Sequence, residues 1–260
     1  MPRNQDIDEI LKQWPFDPLS VNVRLLESRK RQVLQMRVDM GILQMETSDR
    51  PDGHRFHGFP TYFDYLQRKA EKEVDFRLDD RDCFEIDREF VQFYHRRVCW
   101  LQLKEFQNAV RDAKHTLSLM DFCKTYSPDE QWTISHEQYR PFVIYHRTQA
   151  AALAHVGQQD ESGDADVSPQ QAESAIEEVN LGLAQIKILF EEYEAHDQFE
   201  EDELVQRMME FQQSLRERYG IDLTLQERLD QAIEREDYEL AADLKNQLLQ
   251  REPQQPTEET

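Results

Sequence analysis

The sequence predicts a mainly α protein of the α+β type, on three observations. From Phe84 onward almost every segment repeats its apolar residues at helical spacing. Two short stretches alternate instead, Val21, Val23 and Leu25, then Leu34, Met36 and Val38, which is strand periodicity. Charged residues make up 32% and hydrophobic ones 38% of the chain, a balance suited to a soluble, helix-rich protein.

Taken in order, residues 4–13 read as a short helix that Pro15 and Pro18 stop. Val21 to Leu25 is the first strand, 28–31 a polar turn, and Val33 to Val38 the return strand with Leu34, Met36 and Val38 on one face. Met40, Ile42, Leu43 and Met45 either extend it or form a third strand after Gly41. A hairpin or three-stranded sheet of this size is marginal alone, so it is expected to pack on helices. Arg50-Pro51-Asp52-Gly53 is a turn signature, and Tyr62, Phe63, Tyr65 and Leu66 then look helical.

The helical part contains an internal repeat. Tyr94-His95-Arg96 recurs as Tyr145-His146-Arg147, each after an apolar run. Ala109, Val110, Ala113 and Thr116 follow the first set, and Ala175, Ile176, Val179 and Gly182 follow the second. Two stacked helical hairpins with small residues facing inward are expected, the second interrupted by an exposed loop over 157–171. Phe190 to Tyr219 reads as a further helix, with Leu204, Met208, Phe211 and Leu215 on its stripe and an acidic start at Glu200 to Glu203. Gly220 ends it.

The final apolar stripes are short. Leu225, Leu229, Ala232 and Ile233 form one. Asp237 is placed to cap a second helix carrying Tyr238, Ala241, Ala242, Leu244, Leu248 and Leu249. A hairpin this small buries too little surface to stand alone, so its apolar face needs a partner in cis or in trans. On the run Tyr238, Glu239, Leu240, Ala241, Ala242 and Leu244, residues 221–252 resemble the UVR motif, the helical hairpin of bacterial excinuclease subunits B and C, with similar hairpins in Clp ATPases and their adaptors. Lys245-Asn246 stands where many such motifs have Arg-Asp. The first helical hairpin resembles a tetratricopeptide repeat at Phe93, Trp100, Phe106, Ala109, Ala113 and Thr116, with Arg96-Arg97 in place of the usual Leu-Gly. The expected organisation is a β-hairpin and helix region over 1–75, a tetratricopeptide-like body over 76–219, the UVR hairpin over 221–252 and a disordered tail over 253–260. The same order looks like a group of uncharacterised bacterial UVR-motif proteins.

The formal net charge is −22. Residues 157–220 hold seventeen acidic and four basic side chains, a surface that repels phosphate backbones, so direct nucleic-acid binding is not expected. No run approaches the ~20 apolar residues of a membrane span, and residues 1–14 lack the apolar core of a signal peptide. Cys83, Cys99 and Cys123 are widely spaced and fit reduced thiols in a cytoplasmic protein. No nucleophile elbow, zinc-protease or phosphate-loop motif occurs, and few glycines are available to cradle a nucleotide. His54 and His57 lack further ligands at metal spacing. No catalytic activity, cofactor or metal is expected.

Three functions remain open on sequence. The first is a non-catalytic interaction module docking through Leu229, Ile233, Tyr238, Ala241, Ala242, Leu244, Lys245 and Leu248. The resemblance implies an excinuclease subunit in nucleotide-excision repair, or a Clp ATPase, as partner. The second is an enzyme or ligand-binding protein that gathers His95, Arg96, His146 and Arg147 in one groove for an acidic peptide or a terminal carboxylate. The third is a structural protein whose hairpin pairs with its own copy. On the first reading, leucine at Ala242 overpacks the hairpin seam.

Overall fold

The computed structural model describes residues 6–28, 31–157 and 167–251. The expected turn at Arg29 and Lys30, most of the expected 157–171 loop and the 253–260 tail lie outside them. The chain divides into two compact units, up to Ala150 and from Ala151 on. The division falls inside one helix rather than at residue 75 or Gly220, the boundaries drawn from sequence.

In the first unit, α1 (Asp8–Gln13) precedes a meander of three antiparallel strands, β1 (Asn22–Ser28), β2 (Arg31–Val38) and β3 (Gly41–Glu46). Leu25 pairs with Leu34, and Leu34 with Met45. Both faces of β2 are partly covered, because Val33 and Arg37 are buried as well as Leu34. Arg37 reaches back to the turn, donating to the carbonyls of Asp39 (2.9 Å) and Gly41 (3.1 Å), and its Nε reaches the carbonyl of Trp14 (3.1 Å). The expected turn closes with Gly53 N donating to Arg50 O at 2.9 Å, and Gly53 has φ +74°, where glycine alone is unstrained.

The helices of this unit are α2 (Tyr62–Ala70), α3 (Asp80–Gln102), α4 (Phe106–Tyr126), α5 (Glu130–Glu137) and the start of α6 (Arg140–Val156). A reciprocal cap at Asp79 and Asp82 starts α3 four residues before Phe84. Helix α5 is an element the sequence pattern did not separate. Tyr62, Phe63, Leu66, Phe76, Leu78, Ile86, Leu119 and Cys123 form one core. The inward small residues Ala109, Val110, Ala113 and Thr116 are buried as expected.

Among the described residues four carboxylates are buried in this unit, Asp82, Glu89, Asp112 and Glu137, and two of them, Glu89 and Asp112, are fully used. Glu89 accepts from the backbone N–H groups of Tyr62 (2.8 Å) and Phe63 (3.2 Å) at the start of α2, and contacts His115 Nε2 at 2.9 Å. Asp112 on α4 accepts from Arg96 Nε (2.7 Å) and Nη2 (2.9 Å), from Trp100 Nε1 (3.1 Å) and from Arg111. Arg96 Nη1 also reaches the carbonyls of Glu46, Ser48 and Asp49 at 2.8–3.1 Å. One guanidinium thus ties the end of the sheet to the α3–α4 pair.

The second unit holds the end of α6, then α7 (Pro169–Glu192), α8 (Glu203–Tyr219), α9 (Leu225–Glu234) and α10 (Tyr238–Arg251). Pro169 to Gln171, expected in the loop, begin α7 behind a reciprocal cap at Ser168 and Gln171. Ala175, Ile176, Val179 and Gly182 are buried along it. The helix expected over 190–219 is broken: Phe190 belongs to α7, a short 3-10 turn spans His196–Gln198, and α8 starts at Glu203. Glu191 and Glu192 at the end of α7, with no basic residue in its last turn, oppose the macrodipole. Asp202 caps the next start by accepting from Leu204 N and Val205 N. Among the described residues no helix is long and apolar enough to cross a membrane.

Candidate functional site: the terminal hairpin

Gly220 ends α8 in the left-handed region at φ +64°, so the chain can turn without side-chain strain. Thr224 then opens α9 with a reciprocal cap to Glu227. The turn at 235–237 is closed by Asp237 N donating to Ala232 O at 2.9 Å, and Asp237 Oδ1 accepts from Leu240 N at 3.2 Å. This is the cap the sequence places there.

Leu225, Leu229, Ala232, Ala241 and Leu244 interlock between the two helices, with Leu248 against them. Four of the residues expected to touch a partner, Leu229, Ala241, Leu244 and Leu248, are therefore engaged by the hairpin itself. The other four lie outward. Tyr238 is 69% exposed and Ile233 51%, and Ala242 and Lys245 are exposed. Leu249, 56% exposed, was not among the expected contacts. Tyr238, Ala242, Lys245 and Leu249 fall at i, i+4, i+7 and i+11, one face of a helix.

This corrects the seam assignment. The small residue at the crossing is Ala241, and Ala242 points away. Ala241→Leu is expected to cost about 1–3 kcal/mol by overpacking, whereas Ala242→Leu changes stability by less than about 0.5 kcal/mol. Thermal melts of both variants followed by circular dichroism distinguish the two positions.

Polar contacts fasten the open end of the hairpin to α7 and α8. Thr224 Oγ1 donates to Glu177, Leu225 N to Glu173 Oε2 at 3.4 Å, and Arg251 Nη1 pairs with Glu173 at 2.6 Å. Asn180 donates to Glu227 Oε1 at 3.0 Å, and Arg216 pairs with the same carboxylate. Burial pushes the Glu227 carboxyl up, but hydrogen bonds from Arg216, Thr224 N and Asn180 outweigh it and hold the pKa below its ordinary value. Glu177 is shifted upward, chiefly by burial. The turn end, from Ile233 to Tyr238, makes none of these contacts.

The second expected site is not assembled. Among the described residues no hydrogen bond or ion pair joins any two of His95, Arg96, His146 and Arg147. Arg96 belongs to the Asp112 network. His146 contacts Arg97 instead. Nε and Nη2 of Arg147 are buried without a hydrogen-bond partner. His54 stacks on Phe56 and His57 on Tyr65. The cysteines are free thiols, and burial pushes Cys83 up to about 11 and Cys99 to about 12, values at which the reactive thiolate is scarce.

A family model described as the UvrB/uvrC motif matches residues 223–250. No curated protein and no solved structure matches the chain. The match takes in α9 and all but the last residue of α10, so this hairpin is similar to the UVR motif.

Proposed function

We propose that the protein is a non-catalytic interaction module that docks through the UVR hairpin, with an excinuclease subunit or a Clp ATPase as its partner. One observation supports this reading above others. The hairpin closes its own seam and is held at its base by ion pairs, yet keeps Ile233, Tyr238 and Leu249 in water on its outer side. Tyrosine and leucine at helical spacing are typical helix-in-groove anchors. Lys245 lies within that face and would pair with an acidic partner side chain, though without the bidentate fork of arginine. The strongly acidic composition of residues 157–220 favours recruitment to any repair complex through protein rather than through DNA.

The test uses the full chain as bait against purified excinuclease subunits B and C and a Clp ATPase. Tyr238→Ser combined with Leu249→Ser is expected to reduce capture about tenfold or more while the melting temperature stays unchanged. Capture indifferent to both substitutions rules this face out as the docking surface. Self-association is the competing outcome, and it shows as a dimer in light scattering that the same double variant dissolves.

A further inference from the structure

Arg96 and Arg97 are neighbours on α3 with opposite circumstances. Arg96, 1% exposed, is neutralised bidentately by Asp112. Arg97 is 2% exposed, and among the described residues no carboxylate lies within ion-pair distance of it. Its Nη1 donates to Thr116 Oγ1 at 3.0 Å and its Nε to His146 Nδ1 at 3.4 Å. Both acceptors are neutral: burial, with Arg97 adjoining, drives His146 down to about 3. A buried charge without a counter-ion is strongly unfavourable, and arginine does not escape by losing its proton at neutral pH. Burial lowers the Arg97 pKa only to about 10.

This side chain lines a cavity of about 680 Å³ in the first unit. Met120 and Val143 are buried along it, Phe90 and Phe142 are half-buried, and Val91 and Tyr139 stand exposed at its mouth. Asp87, also on the lining, is already engaged by Trp132 Nε1 (3.0 Å) and His136 Nε2 (2.9 Å). The volume falls in the range of small-molecule sites, which are mostly apolar with a few placed polar groups. A single guanidinium among the lining residues suits a compact monoanion rather than a phosphate dianion. Guanidinium and carboxylate match in plane and spacing.

We propose that this groove binds a small apolar carboxylic acid, its carboxylate on the guanidinium of Arg97 and its hydrocarbon or aromatic body against Phe90, Met120, Phe142 and Val143. The site is separate from the UVR hairpin and does not depend on it.

Calorimetric titration of the full chain with octanoate and with 3-phenylpropionate tests the assignment. At least one is expected to bind one-to-one, with 1-octanol weaker by about tenfold or more. Arg97→Gln is expected to weaken the acid by a similar factor and leave octanol unchanged. Val91→Asp at the exposed mouth serves as a second variant, should Arg97→Gln fail to fold, and is expected to repel the acid about tenfold. Two results overturn the proposal: neither acid binds, or binding is unaffected by both variants. Binding confined to a tetrapeptide ending in phenylalanine with a free carboxylate, and lost on its amidation, would also overturn it and make a chain terminus the ligand.

Discussion

Asp112→Ala is expected to destabilise the first unit by about 3–5 kcal/mol, the cost of leaving a buried charge without its partner. Arg96 is 1% exposed and has no route to water, and Trp100 Nε1 loses its acceptor at the same time. The damage extends to the sheet, because the guanidinium that Asp112 orients also holds the carbonyls of Glu46, Ser48 and Asp49. Removing both charges, Arg96→Met with Asp112→Leu, recovers only part of the loss. A well-packed apolar pair removes the unpaired charge, but the three carbonyls stay without that donor. Urea denaturation followed by tryptophan fluorescence measures this directly, since Trp14, Trp100 and Trp132 all lie in the first unit. A midpoint shift worth less than about 1 kcal/mol in Asp112→Ala would show that water reaches Arg96.

The elements that the sequence discloses are those set by local pattern. Alternation at Leu34, Met36 and Val38 places β2, and the stripe Leu225, Leu229, Ala232 places α9. What it conceals is which apolar side of a short helix meets its neighbour. Ile233 and Ala242 share their apolar character with Ala232 and Ala241, and only the hairpin crossing sends the second pair inward and the first pair out. The break after α7 was hidden for another reason. Apolar periodicity continues through Phe190 and Phe199, while α7 ends on acidic residues at its negative end and α8 starts afresh at the Asp202 cap.

The buried charges left a trace that pattern reading passes over. On α3, Phe93, Arg96, Arg97 and Trp100 are spaced i, i+3, i+4 and i+7, and all four are buried. On α4, Ala109, Asp112, Ala113 and Thr116 follow the same spacing, also buried. Charged residues set within an apolar stripe on two consecutive helices are the signature of an internal ion pair. The stripes carry two cations and one anion, so Arg97 is left over. The expected groove of His95, Arg96, His146 and Arg147 chose the wrong member of the Arg96-Arg97 pair for the same reason. A repeated tripeptide marks similar helix surfaces, but a charge mismatch between facing stripes marks the residue that lacks a partner.

That mismatch also predicts how the first unit responds to acid. His146 is 9% exposed, and burial together with the Arg97 charge lowers its pKa from the ordinary 6.5 to about 3. In the unfolded chain the imidazole takes a proton near 6.5, whereas in the fold it stays neutral until about 3. Between those values the unfolded state binds more protons, so stability falls as pH falls. The contribution is complete above about pH 6.5 and declines by about 1.4 kcal/mol per pH unit below it, or about 2 kcal/mol at pH 5. His95 and His136 are shifted downward as well, chiefly by burial, and add to the slope in the same direction. His146→Gln keeps an acceptor for Arg97 and removes the titration. Its stability relative to the native chain should therefore improve by about 2 kcal/mol between pH 7.5 and pH 5, measured by urea titration with tryptophan emission. Parallel pH profiles for the two proteins would mean that His146 is already solvated in the fold. In that case the cation beside it is solvated too, and the argument for a carboxylate on Arg97 weakens with it.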